Sequence, residues 1–242
     1  MRSSNPILNE KAFDSFTYLG SDTMTVQGTV NKALIMFALL LSGAAFTWMN
    51  MGTALAMPLM IGGAIGGLIV AIITTFKKEW SPKTAPIYAA LEGLFIGGIS
   101  AFFENMFPGI VIQAVSLTFG VFFCLLFCYK SGLIKATENF KMGVVAATGA
   151  IGLVYLASMV MRMFGSSIPF IHEGGMMGIG FSLVVVVVAA LNLILDFDFI
   201  EKAAEQGAPK YMEWFGAFGL MVTLVWLYLE MLRLLSKLSS RD

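Results

Sequence analysis

Glu92, Asp196, Asp198, Glu230 and Arg233 stand inside or at the edge of stretches that are otherwise fit for hydrocarbon. A charged side chain at the centre of a membrane helix costs about 2.5–3.5 kcal/mol on insertion scales, so each of these needs a partner or a task. The chemistry open to acids in such surroundings is cation binding and proton relay. Asp196 and Asp198 sit in NLILDFDFIE. Residues two apart on a helix point to nearly opposite sides, so the two carboxylates do not face each other. Asp198 precedes Lys202 by four residues, the favourable direction for an ion pair, and reads as an interfacial charge. Asp196 follows Asn192 by one turn, and the pair predicts a polar stripe reaching back among apolar residues. Phe197, Phe199 and Ile200 carry the apolar character beyond it, which places Asp196 about 6 Å inside the apolar end at 1.5 Å per residue. A snorkelling acid at the helix end is the plainer alternative.

Glu92 follows the charged stretch KKEWSPK by roughly two turns, and Asp196 precedes EKAAEQGAPK. If both stretches lie on one side of a membrane, the two acids share a depth on different helices and can form a pH-sensitive pair. Glu92 as a hydrogen-bonding link to a neighbouring helix is the alternative. Glu230 and Arg233 are three apart and predict an ion pair within one helix, with a structural role. Tyr88, Tyr155 and the four tryptophans read as interface anchors.

The elements that must position these residues follow from composition. The chain of 242 residues is 58% hydrophobic and 12% charged, about half the charge of a soluble domain, which indicates a bilayer protein. A spanning helix needs about 20 apolar residues. Segments near 33–49, 53–76, 85–103, 109–129, 142–163, 175–199 and 214–235 meet that length. The expected fold class is therefore an all-α membrane protein with seven transmembrane helices: a polar tail over 1–31, then a single domain over 32–242. No cleavable leader is expected, because residues 1–31 lack a compact apolar core. IGGAIGGL and EGLFIGG carry small residues that let helices approach closely. Cys124 and Cys128, four apart in one apolar run, read as small core residues with poor geometry for a disulfide.

Short-loop lysines and arginines set orientation. A cytoplasmic N-terminus puts Arg2, Lys11, Lys32, Lys77, Lys78, Lys83, Lys130, Lys135, Lys141, Lys202 and Lys210 on the inner side, with Arg162 outside. Arg233, Lys237 and Arg241 would then also be outside if every segment spans. Either the rule is overridden there or the last segment re-enters.

Zero net charge argues against a nucleic-acid partner. The one histidine, His172, falls in a connecting stretch, which disfavours haem ligation or a Ser–His pair in the membrane. Residues 214–235 hold neither lysine nor aspartate, against a retinal Schiff base and against intramembrane aspartyl proteolysis. No phosphate-binding or metalloprotease motif is present. No enzymatic activity and no resident cofactor is expected.

NLILDFDFIE, a short polar loop and a final helix ending YLEMLRLL resemble the Bax inhibitor-1 (transmembrane Bax inhibitor motif) family, most closely its bacterial YccA-like branch. APIYAALEGLFIGGIS and KATENFKMGVVAATGAIGLVY support the likeness, which covers nearly the whole chain past the tail. The resemblance implies that the last helix is central, with the other six around it. It implies a multi-pass protein of the inner membrane, with a pH-sensitive calcium leak and a role in membrane stress. In that family two aspartates, one on each of the last two helices, form the pH-sensing latch. Asp196 matches the first; the second falls near Thr223, where this chain has no acid. Glu92, or Glu230, could take its place. An arginine of the second helix that partners the first aspartate in some relatives has only Lys77 or Lys78 as its counterpart here. Two functions follow: a calcium or cation leak gated by protonation around Asp196, or a regulator that binds and restrains membrane partners such as a membrane-bound protease without conducting.

Overall fold

The structure is a computed structural model, and it describes residues 23–164 and 175–240. His172, Arg2, Lys11 and Arg241 lie outside the described residues. Among the described residues, seven helices are long and apolar enough to cross a membrane. They are α1 (Val26–Met49), α2 (Ala56–Phe76), α3 (Ser81–Met106), α4 (Ile110–Lys130), α5 (Glu138–Met163), α6 (Met176–Glu205) and α7 (Met212–Ser239). A 3-10 turn over Lys78–Trp80 leads into α3.

Several helices run beyond their apolar stretches, because the ends are specified by capping groups that hydropathy does not register. Thr25 caps α1 by accepting a hydrogen bond from the Gly28 amide, so the helix starts well before residue 33. Thr137 does the same for α5 through the Phe140 amide. At α4 the carboxylate of Glu104 reaches forward and accepts from the Gly109 and Val111 amides at 2.7 and 3.1 Å. α6 continues through EKAAE and ends at Gly207, whose φ of 66° is the left-handed conformation that glycine adopts freely. There Ala208 N donates to Ala203 O and Gly207 N to Ala204 O, a Schellman turn that satisfies the last carbonyls and swings the chain into α7.

Tight approach between helices rests on glycine. A Cβ on Gly97 would lie 2.2 Å from the Ala44 carbonyl oxygen, and one on Gly63 would lie 2.6 Å from that of Leu91. The first contact seats α3 on α1 and the second seats α2 on α3, so these small residues serve packing. α7 is the central helix: 67% of its spanning residues are buried, against 11% for α2. It packs on α1, α3, α4 and α6, while α2 is held chiefly through α3. The buried core runs along it through Ala217, Met221, Leu227 and Leu232. Large apolar side chains such as Leu34, Ile65, Phe127 and Leu153 point outward, the arrangement a lipid-facing surface requires.

The two ends of the bundle differ. Ser81 Oγ donates to Tyr211 O, Glu213 pairs with Lys32 and Lys210, and Lys141 pairs with Asp198. These contacts gather the start of α1, the α2–α3, α4–α5 and α6–α7 connections, and with them the loop lysines, at one end. α7 then runs unbroken to the other end, where Lys237 donates to Gly178 O and Ser182 Oγ of α6. The last segment therefore traverses the bundle and does not turn back.

Two side-chain expectations need correction. Cys124 is exposed and Cys128 half-exposed on the outward side of α4, so they are not core residues. Tyr88 is no interface anchor: it is 5% exposed and meets Phe218 of α7 edge-on at 5.0 Å.

Candidate functional site

α6 presents its two aspartates to different neighbours, as residues two apart must be. Asp196 turns inward to α7. Its Oδ1 lies 3.7 Å from where a Cβ on Gly219 would stand, and it is within reach of the Thr223 hydroxyl. Glycine at 219 leaves room for the carboxylate, and threonine one turn later supplies a hydroxyl on the same face. That hydroxyl also contacts Gly219 O at 3.2 Å. The other oxygen, Oδ2, is fully buried and has no hydrogen-bond partner among the described residues. A buried carboxylate oxygen without a donor is costly, so this position suits a proton, a water or a cation.

Asp198 points the other way. It holds Lys141 of α5 at 2.9 Å and Lys202 of its own helix at 3.0 Å. The expected pair with Lys202 forms, and α5 adds a second cation. Beside it, Tyr129 donates to Glu201 at 2.6 Å, and Lys130 stands 3.7 Å from the same carboxylate. Asp198, Glu201, Tyr129, Lys135 and Thr137 line a polar recess of about 290 Å³ at the lysine-rich end. An open, charge-bearing recess therefore begins two residues along α6 from the buried acid.

The remaining expected site residues are dispersed. Asn192 does not extend a stripe toward Asp196. Its amide donates to Thr148 of α5 and to Val188 O, both at 2.8 Å. Glu92 faces α2, its Oε2 lying 3.1 Å from where a Cβ on Gly67 would be. Asp196 faces α7, so the two acids occupy different helix interfaces. Lys78 Nζ sits over the Phe215 ring at 5.2 Å and forms no ion pair with Asp196. Glu230 and Arg233 pair at 2.8 Å as expected, far along α7 from Asp196. Tyr155 completes that cluster: its hydroxyl donates to Glu230 at 2.9 Å, which binds α5 to α7 and replaces the membrane-anchor role expected of it. Of the expected residues, the structure brings Asp196 beside Thr223 and pairs Glu230 with Arg233, and it leaves Glu92, Asn192 and Lys78 apart from both.

Glu213 and Lys237 emerge only from the structure. Glu213 is fully buried, accepts from the Thr25 amide and hydroxyl at 2.9 Å, and pairs with Lys210 at 2.8 Å and with Lys32. Its signal was an acid in the first turn of the last helix, three residues after a lysine. Lys237 is 6% exposed; its position in the last turn of α7 gave no hint that α6 would cover it. Among the described residues no group of three or more His, Cys, Asp or Glu side chains converges on one point.

The family model described as Bax inhibitor 1 like matches residues 5–240, nearly the whole chain. No curated protein matches the chain.

Proposed function

We propose a conducting role for this multi-pass membrane protein, which belongs to the Bax inhibitor 1 like family: a calcium or cation leak gated by protonation of Asp196. The observation that carries the reading is the buried Oδ2 of Asp196, unpartnered at the interface between α6 and the central helix. With the carboxylate ionised, the Thr223 hydroxyl within its reach turns from Gly219 O and donates a charge-assisted hydrogen bond from α7, roughly twice as strong as a neutral one. Protonation removes the charge, weakens the link between α6 and α7, and frees the two helices to part. An incoming cation competes for the same oxygen. The recess holding Asp198 and Glu201 supplies a polar vestibule at the lysine-rich end, which we assign to the cytoplasm of a cell whose inner membrane holds the protein. No catalytic group is required.

A second reading draws on Thr223. Where the family resemblance implies a pair of acids, this site has one carboxylate, so the bundle could instead restrain membrane partners such as a protease and pass no ion. Calcium entry into liposomes containing the purified protein, followed across pH, separates the two. The leak reading expects flux that rises on acidification. Absence of flux at every pH leaves the restraining role.

A further inference from the structure

Beside the central helix, on the side away from Asp196, a cavity of about 410 Å³ opens between α1 and α4. Ala45, Trp48 and Val115 form its walls, and Met221, Val225 and Tyr228 of α7 form its floor. Its lysine-side end is closed by Phe37 of α1 against Phe119 of α4, edge-on with centroids 5.4 Å apart. At the rim, Leu41 is 50% exposed and Met49 82%, so the mouth faces sideways into what is bilayer hydrocarbon for a helix at that depth.

Three observations decide what enters. The walls are almost wholly apolar. The two hydroxyls at the floor, Ser100 Oγ and Tyr228 OH, bond each other at 2.6 Å, and Thr118 donates to Ala114 O at 2.7 Å. Water needs two to four polar partners, and the few polar groups of this wall are scattered and mostly engaged already, so an unfilled cavity would be largely dry. A dry void of this volume is unfavourable because its walls lose their packing contacts. The volume also lies within the range of small-ligand sites, about 300–1,000 Å³.

We infer that this groove binds a single acyl chain of a membrane lipid, entering sideways from the leaflet remote from the lysine-rich end. The chain end would rest on Met221 and Val225, which flank Thr223 along α7. An occupant there braces the central helix from the face opposite Asp196. The inference is independent of conduction and holds for a leak and for a non-conducting regulator alike.

The test uses the full chain in phosphatidylcholine vesicles doped with a phosphatidylcholine carrying a diazirine near the end of one acyl chain. After irradiation, adducts are mapped by peptide sequencing. Met221, Val225 and Tyr228 are each buried, at 3%, 8% and 9% exposure, so lipid at the outer surface does not touch them. Adducts on these three support the groove. Ala45→Trp, which fills it, should cut floor labelling several-fold, while Ile65→Trp on the outward face of α2 should leave it unchanged. Adducts confined to outward residues such as Ile65 and Leu153 would overturn the proposal. So would floor labelling that Ala45→Trp leaves intact. If Ala45→Trp does not insert, the wild-type map decides alone.

Discussion

Removing the Glu213 carboxylate should loosen the attachment of the central helix to α1. Glu213 is fully buried at the start of α7, and its donors come from three places: Thr25 at the cap of α1, Lys32 about two turns further on, and Lys210 just before α7. Gly28 leaves room for it, since a Cβ there would lie 2.0 Å from Oε1. Breaking a buried ion pair by deleting one partner costs about 3–5 kcal/mol. Lys32 and Lys210 keep 18% and 46% side-chain exposure, so water recovers part of their solvation and the lower end applies. Glu213→Ala should therefore cost about 3 kcal/mol. Glu213→Gln keeps an acceptor for Thr25 and loses only the charge, and should cost about half as much. For a chain of this size about 1 kcal/mol moves a melting temperature by 2–4 °C, so Glu213→Ala should melt about 6–12 °C lower in detergent. Gly28→Ala, which drives a methyl into the same carboxylate, should be destabilising with the glutamate present and much less so in the Glu213→Ala background. Melting of Glu213→Ala within a degree or so of the wild type, or additive effects of the two substitutions, would refute the reasoning.

Other contacts give further expected outcomes. Gly97→Leu places a side chain against the Ala44 backbone, where even a Cβ would lie 2.2 Å from the carbonyl oxygen; overpacking costs about 1–3 kcal/mol or more, read as reduced yield of monodisperse protein. Tyr155→Phe removes a hydrogen bond to the buried Glu230 and should cost about 1.5–3 kcal/mol. A double-mutant cycle with Glu230→Gln should show coupling above about 0.5 kcal/mol, and strict additivity would mean the cluster does not bind α5 to α7. A C-terminal reporter active only in the cytoplasm should be silent, because α7 runs the length of the bundle away from the lysine-rich end. Activity there would reverse the orientation.

Much of the architecture is legible in hydropathy, since a membrane span must be a long apolar helix and little else satisfies its backbone. What hydropathy misses is the polar helix end: ENFK and EKAAE belong to helices because Thr137 caps one and a Schellman turn at Gly207 closes the other. The opposed directions of Asp196 and Asp198 follow from helical periodicity, and the structure shows one meeting α7 and the other meeting two lysines. The neighbourhood of Asp196 and Thr223 was visible through the family resemblance, which implied a second sensing position near 223. A meeting of Glu92 with Asp196 could not be read the same way. Equal depth says nothing about azimuth, and Gly67 on α2 draws Glu92 to a different interface. Glu213 was hidden because an acid in a first helical turn is ordinarily solvated. It becomes a buried anchor only when Thr25 and Lys32, nearly the whole chain away, fold over it.

The measurement that bears most directly on the central claim is calcium flux into liposomes as a function of pH for the wild type, Asp196→Asn and Asp198→Asn. Asparagine keeps the shape of Asp196 and abolishes its titration, while Asp198 is already neutralised by Lys141 and Lys202. A hydrogen bond from Thr223 to an ionised carboxylate is worth about 1.5–3 kcal/mol, against about 1 kcal/mol for a neutral pair. Losing about 1.4 kcal/mol of it on protonation changes an open fraction about tenfold. The account predicts wild-type flux that rises about tenfold on acidification, pH-independent flux for Asp196→Asn, and a nearly wild-type profile for Asp198→Asn. Wild-type pH dependence in Asp196→Asn, or equal effects of the two substitutions, would contradict Asp196 as the sensor, and no flux from the wild type at any pH would contradict conduction itself.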